Sequence, residues 1–342
     1  MSATSATDAV LIAWHKRVFN SGPVKRTTSR RGLTGLSLLG STEGARAHPK
    51  VTGKTVRNRV GAFVKRSPQV LVRVSGGGRN IRHVKAHLDY ISRNGQITLE
   101  DQNGEKINGK DEVGALRDEW QFGGFPISEG ATARQAFNIV LSMPAGTDEY
   151  AVMCAAREFA ASEFENFQYA MALHTFDTDP DKDPSPNPHV HLCVKAIALD
   201  GTRLNPRKAD LQRWREGFAM RLREHGIDAD ASRRVHRLQR VRGEKQSVRY
   251  KKARGDQFHS MGLYPASTER VARSKGIETE LVAGYREVAT ALAKSDVASD
   301  RALAVGLARR VMQPDLFDDG GMQRQQDLRE AEKPRGIETT RE

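Results

Sequence analysis

The hydrophobic pattern becomes regular only near residue 69. From Gln69 to Ser75, Val70, Val72 and Val74 alternate with other positions, the period of a half-buried strand, and Gly76, Gly77 and Gly78 end it. Arg79 to Asn94 then places Ile81, Val84, Leu88 and Ile91 at helical spacing, with Gly95 set to take the left-handed conformation that closes a helix. At about 100° per residue, Tyr90 falls well off that apolar stripe and shares its face with His83, Ala86 and Arg93.

Gln96 to Glu100 and Glu105 to Asn108 predict a small hairpin around Asn103-Gly104. Phe137 to Met143 predicts the next strand, closed by Pro144-Ala145-Gly146. Asp148 caps a helix running to about Asn166, whose apolar face includes Val152, Ala155, Ala156, Phe159 and Phe164. Strands at Tyr169 to His174 and Val190 to Ala196 follow, joined by a loop rich in Asp and Pro. Asn205 and Pro206 open a helix that displays Leu211, Trp214, Phe218 and Leu222 and stops at Gly226. Further helices are predicted near Glu269 to Lys294 and Ser299 to Met312.

Composition adds an outline to these elements. A chain of 342 residues suits one sizeable catalytic domain with extensions. With 38% hydrophobic residues and a mean hydropathy of -0.60, it is lean for packing from end to end. Residues 1–68 read as a basic, flexible arm with a short helix around Val10 to Phe19, and residues 69–240 as the catalytic domain. Residues 241–312 read as a basic segment and helical extension, and 313–342 as a polar tail. Two cysteines, Cys154 and Cys193, cannot build a disulfide framework. With no secretory pattern near Met1 and no bilayer-length apolar run, the expectation is a soluble protein of a reducing cytoplasm without membrane insertion.

Charge points to the partner. The net charge is +13, and residues 1–68 hold 13 Lys and Arg against Asp8 and Glu43 alone. A second block, Ser232 to Arg254, holds ten against Glu244, interleaved with Val235, Leu238, Val241, Val248 and Tyr250. Such an excess favours a polyanion through counterion release from phosphates.

The chemistry lies between the basic blocks. Side chains alternate across a strand, so His189-Val190-His191 puts both imidazoles on one face, half of a metal site. His174 shares a face with Ala170 and Ala172, and a hairpin of the two strands would bring it beside the pair. Three facial histidines leave positions open for a phosphate oxygen. Two surface histidines that happen to alternate are the bland alternative, against which the third histidine argues. Cys193 reads as a small buried thiol. Asp177, Asp179, Asp181 and Asp183 alternate like a calcium loop, but the sixth position is Lys182 and the twelfth Pro188, which excludes an EF-hand. The loop reads as a solvated acidic segment with no carboxylate ligand, and Asp177 is its candidate for orienting an imidazole.

Three ordered segments carry a family resemblance: Ala86-His87-Leu88-Asp89-Tyr90-Ile91-Ser92-Arg93-Asn94-Gly95, Leu141-Ser142-Met143-Pro144-Ala145-Gly146-Thr147, and Asn187-Pro188-His189-Val190-His191-Leu192. They resemble the motifs of plasmid mobilisation relaxases, tyrosine nucleases of the HUH superfamily, and are similar to the Agrobacterium border-cleaving relaxase. The resemblance covers about residues 69 to 240. It implies an α+β fold with a central antiparallel sheet flanked by helices. It also implies that Tyr90 attacks one phosphodiester of single-stranded DNA at an origin of transfer, that Ser142 lies near the strand, and that His174, His189 and His191 bind a divalent metal, Mg²⁺ or Mn²⁺. Relaxosome accessory proteins and a type IV secretion coupling protein are the implied partners, with passage to a recipient cell alongside the DNA. The departure is the long link Thr175 to Pro188 between the first histidine and the pair.

The residues themselves make complementary demands. A free tyrosine phenol titrates at about 10, so a nucleophilic tyrosine needs a polarised phosphate or a base nearby. Arg73, Arg93 and the second basic block are candidates to follow the DNA backbone, with Trp214 or Tyr250 to stack on bases, although Trp214 on the apolar stripe of its helix reads better as core. A rolling-circle replication initiator or a transposase would use the same chemistry, and a non-catalytic DNA-binding accessory protein would keep only the basic flanks.

Overall fold

A computed structural model describes residues 5–19, 51–127, 129–238, 255 and 268–312. The chain divides into two compact units, one formed by Lys65–Ala231 and the other by Met1–Val64 together with Ser232–Glu342.

Lys65–Ala231 is an α+β unit around a six-stranded antiparallel sheet. Its elements in chain order are β1 (Leu71–Gly76), α3 (Ile81–Ile91), β2 (Leu99–Asp101), β3 (Lys106–Ile107), α4 (Gly109–Phe122), β4 (Ala136–Ser142), α5 (Glu149–Glu163), β5 (Tyr169–His174), β6 (His189–Lys195) and α6 (Lys208–Glu224). The helices α1 and α2 precede them in the other unit. The strand order is β1-β4-β6-β5-β2-β3, so the predicted strands at 137, 169 and 190 form the centre.

Alternation divides the sheet into two unlike faces. Phe137, Ile139, Leu141, Tyr169, Met171, Val190, Leu192 and Val194 pack with Phe159, Phe164, Trp214 and Phe218 of the α5–α6 layer. The opposite face offers small residues, Ala136, Ala170, Ala172 and Cys193, to the stripes Ile81, Val84, Leu88, Ile91 of α3 and Val113, Leu116, Trp120 of α4. Small side chains there let α3 lie close to the sheet. The Cys193 thiol is fully buried, and burial pushes it up to about 12.

Local chemistry sets the ends of the helices. Asn80 caps α3, its side-chain oxygen accepting from His83 N at 3.1 Å, and Asp148 caps α5 by accepting from Tyr150 N at 3.0 Å. The α6 cap is Arg207 instead of the expected Asn205, and its backbone N–H donates to Asp210 at 2.8 Å. Trp214 is 1% exposed in the core and packs edge-on to Phe164, so it offers no ring for a base.

The second unit contains α1 (Ala6–Phe19), α2 (Gly53–Lys65), a 3₁₀ turn at Arg234–Arg237, α7 (Thr268–Ala293) and α8 (Ala298–Met312). Leu11, Trp14, Val56, Val60, Phe63, Tyr285, Val288, Leu292 and Leu307 form its core. The segment read as a flexible arm thus contributes two helices to a packed unit. Most of the second basic block, including Val241, Val248 and Tyr250, and the tail 313–342 lie outside the described residues. No helix among the described residues is long and apolar enough to cross a membrane.

Two helices, α2 and α4, escape the hydrophobic pattern. Each shows a narrow stripe interrupted by glycine: Val56, Val60, Phe63 with Gly61, and Val113, Leu116, Trp120 with Gly114. Three apolar positions over three turns are a weak periodic signal, and tertiary packing supplies what propensity lacks.

Gly95 tests how the α3 terminus is fixed. It sits at φ +84°, and a Cβ there would lie 2.5 Å from the carbonyl carbon of Gly109. Gly95→Ala meets both an unfavourable φ and a backbone clash, so it is expected to destabilise by about 2 kcal/mol or more. Thermal or urea unfolding against Gly104→Ala, where φ is also +84° but the space is open, separates the clash from the φ cost; equal losses would exclude the clash.

Candidate active site

β5 and β6 pair antiparallel with His174 opposite His189, and β4 pairs with β6 so that Ser142 is also opposite His189. His189 and His191 share a face by alternation, and the pairing brings His174 to them. The three rings stand with centroids 4.7 to 5.2 Å apart, and one nitrogen from each lies within 4.8 Å of the others. The long link after His174 therefore does not separate the three. Ser142 is half-buried at the end of β4, and its hydroxyl points to its neighbour's carbonyl, Met143 O, at 3.4 Å.

Each imidazole has its own surroundings. His174 is fully buried, with Nδ1 2.9 Å from Asp179 Oδ2 and Nε2 2.7 Å from the Ile91 carbonyl. His189 turns Nδ1 to Asn187 O at 2.9 Å, which leaves Nε2 with a lone pair. His191 is 7% exposed and its Nδ1 is buried with no partner. Burial lowers the pKa of His189, and it pushes His191 down to about 2 with the neighbouring His174 and His189 adding repulsion. Neutral imidazole is the form that ligates a metal. The cluster thus fits an ion by donor type and proximity. For His174 to join through Nε2, that atom must leave the Ile91 carbonyl.

The carboxylate that orients His174 is Asp179, not Asp177. Asp177 is exposed, whereas Asp179 is held inside the loop, its backbone N–H donating to Thr175 O at 3.2 Å. Arg93 grips Asp179 with two bonds, Nε to Oδ1 at 2.7 Å and Nη2 to Oδ2 at 2.8 Å. The guanidinium holds the Asp179 carboxyl well below the usual range. Among the alternating aspartates, sequence spacing alone cannot distinguish these two, because the loop's turn decides which one points inward.

Arg93 is correspondingly not a free cation for the DNA backbone. Its side chain is 15% exposed, it also approaches Asp181 at 3.3 Å, and its guanidinium carbon lies 4.8 Å from the centre of the Tyr90 ring. Arg93 and Asn94 both adopt left-handed backbone, φ +50° and +56°, so α3 stops at Ile91 and the chain turns Arg93 towards the loop. Non-glycine residues seldom adopt this conformation.

Tyr90 is 52% exposed on the free side of α3, and its ring stands edge-on to His191 with centroids 5.7 Å apart. The nucleophile candidate and the histidine cluster thus share one surface. His87, one turn earlier on α3, joins them: its ring stacks on Tyr90 at 6.2 Å and meets His191 edge-on at 6.4 Å. Burial pushes His87 down to about 4, and its Nε2 is buried without a partner. His87 is a site residue that the sequence reading passes over, although its i, i+3 spacing to Tyr90 was a usable signal.

An antiparallel sheet bearing three clustered histidines, faced by a helix with an exposed tyrosine, places a candidate metal site beside a candidate nucleophile, an arrangement suited to phosphoryl chemistry. Residues 100–227 match the family model Relaxase: MobA/VirD2-like, nuclease domain, and the three-histidine cluster within that stretch is compatible with a relaxase of the HUH superfamily. A match to a relaxase nuclease domain supports a DNA-nicking function. The matched region includes Ser142 and the three histidines, while Tyr90, Arg93 and His87 lie before it. No curated protein matches the chain.

Removing Arg93 leaves the buried Asp179 without its guanidinium, with His174 Nδ1 and the Asp181 N–H still against it. Arg93→Ala is expected to cost about 3–5 kcal/mol, and Arg93→Lys to recover only part, because an ammonium cannot reproduce the two-bond grip. The depressed Asp179 pKa makes its contribution complete above the unfolded value of about 3.9 and lost as pH falls from there towards the folded value. The stability gap between wild type and Arg93→Ala should accordingly be widest near neutrality and narrow below about pH 4. Urea unfolding across pH checks this, and a gap independent of pH would show that the ion pair is not its source.

Proposed function

We propose that the protein is a conjugative or mobilisation relaxase that cuts one strand of DNA at an origin of transfer and later rejoins it, with Tyr90 as nucleophile. The observation that carries this reading is the approach of the Tyr90 ring to 5.7 Å from His191 within the three-histidine cluster. Tyr90 Oη attacks the phosphorus and the bond to the 3′ oxygen breaks. The phenolic proton goes to solvent and the 3′ oxygen takes one up. The products are a 3′ hydroxyl and a 5′-phosphotyrosyl link. The broken ester's energy is retained in that link, so the reverse attack reseals the strand.

His174, His189 and His191 would hold a divalent ion, which when bound supplies a Lewis acid for a non-bridging phosphate oxygen. Three imidazole donors suit Mn²⁺ or a later transition ion better than Mg²⁺, which prefers oxygen ligands. Asp179 and Arg93 fix His174 from behind, and Ser142 lies beside His189 at the strand's approach. Asp177, exposed on the loop, has no orienting role in this scheme.

With Arg93 committed to Asp179, other cations must follow the DNA backbone. A cleft of about 270 Å³ between α3 and α4 is lined by Lys85, Asp89, Asn94, Lys110 and Arg117. Lys85 and Lys110 are exposed there, on the helix that carries Tyr90 and on its neighbour. Relaxosome accessory proteins, a type IV coupling protein and delivery from the bacterial cytoplasm to a recipient cell belong to the same reading through the family.

The chemical test is a covalent adduct between the full chain and a single-stranded origin oligonucleotide, formed with Mn²⁺ and followed by gel shift under denaturing conditions. Tyr90→Phe should abolish it, and His189→Ala with His191→Ala should reduce its rate by at least about 100-fold; equal adduct from wild type and Tyr90→Phe would remove the assigned nucleophile. A separate binding test concerns the cleft. Replacing Lys85 and Lys110 by Ala should reduce the slope of log affinity against log salt by up to about 1.4 for single-stranded DNA, whereas Arg93→Lys should leave that slope unchanged.

A further inference from the structure

Each candidate ligand histidine has two ring nitrogens, and the one that does not face the ion needs its own partner to fix the tautomer and the ring. For His174 that partner is Asp179, and for His189 it is the Asn187 carbonyl. His191 differs: its Nδ1 is buried and has no hydrogen-bond partner among the described residues. His87 contributes a second such atom, Nε2, from a ring centred 6.4 Å away and inclined by 73°. The other edge of this relation is the stacking of His87 on Tyr90, at 6.2 Å and 20°.

We propose that His87 is a positioning residue that orients His191 through His87 Nε2 and His191 Nδ1 while its ring face aligns Tyr90. This rests on the reading of His191 as a metal ligand. A direct N–H···N bond of about 2.9 Å would place two imidazole centres about 5 Å apart, so at 6.4 Å the pair closes through one bridging water or a modest turn of the His87 ring. His191 then donates from Nδ1 and directs the Nε2 lone pair at the ion. His87 accepts at Nε2 and keeps its own proton on Nδ1. Because His87 and Tyr90 are one turn apart on α3, the same contact registers the nucleophile against the metal site. No proton is transferred through His87 in this role.

The test uses the full-length chain, His87→Phe, His87→Gln and His191→Ala, with two measurements. The first is Mn²⁺ affinity by electron paramagnetic resonance titration without DNA. The second is the ¹⁵N spectrum of the histidine rings in metal-free protein, which reports which nitrogen of His191 carries the proton. His87→Phe should lower Mn²⁺ affinity by about 10- to 100-fold and disperse the single His191 tautomer. His87→Gln, which supplies a side-chain carbonyl acceptor, should restore the tautomer and most of the affinity, showing that loss in the Phe variant is not loss of fold. Unchanged affinity and an unchanged His191 signal in His87→Phe would overturn the proposal. So would weaker Mn²⁺ binding with the His191 signal unchanged, because His87 would then be a direct ligand. If His191→Ala kept wild-type Mn²⁺ affinity, the metal reading itself would fall and this one with it; if only His191→Ala lost affinity, the proposal about His87 alone would fall.

Discussion

The site is organised by the two-bond grip of Arg93 on Asp179. It joins the end of the tyrosine-bearing helix to the loop that follows the first histidine, at 2.7 and 2.8 Å. Asp179 in turn fixes His174 at 2.9 Å. Charges this enclosed are costly to bring out of water, and the arrangement holds because each has its partner in good geometry. The left-handed backbone at Arg93 and Asn94 is the conformational cost of aiming the guanidinium inward. Tyr90 sits between this bridge and His87, so the exposed nucleophile candidate is braced by His87 one turn before it and by Arg93 just past the helix end.

The sheet beneath supplies the second constraint. One face is filled with large apolar residues against α5 and α6, and the other carries alanines and Cys193 against α3 and α4. The histidines continue the small-residue face at the strand ends. Their alternation places donors where α3 arrives, so the histidine cluster and the tyrosine meet by pleat and register without any special backbone device in the strands.

Much of this was legible in the sequence because it depends on short periods. The His189-Val190-His191 spacing, the off-stripe position of Tyr90 and the strands at 137, 169 and 190 all follow from alternation or helical spacing. What was not legible depends on tertiary choices. The loop's turn, and not its composition, selects Asp179 over Asp177. Arg93 looks like a DNA-binding cation until Asp179 occupies it. Trp214, by contrast, sits on its helix's apolar stripe and is core in the structure, packed against Phe164. The helices α2 and α4 are short of apolar positions, and the packing of α1 and α2 with α7 and α8 joins segments distant in the chain. His87 is visible as a residue, but its role depends on two unpartnered nitrogens that only coordinates reveal.

The connection from His174 to His189 is long, yet its early part is pinned: Thr175 and Thr178 bond to each other at 2.8 Å, and Asp179 is anchored to Thr175 and Arg93. The far end is held where Ala145 N donates to Asn187 at 2.9 Å. Beyond Asp181, which also meets Arg93 at 3.3 Å, residues 182–186 can change in length and composition while the histidines keep their register. Loop closure grows by only about 0.6 kcal/mol for each doubling of length. Insertions in this segment therefore offer a place beside the histidine cluster where the surface can vary without rebuilding the cluster itself.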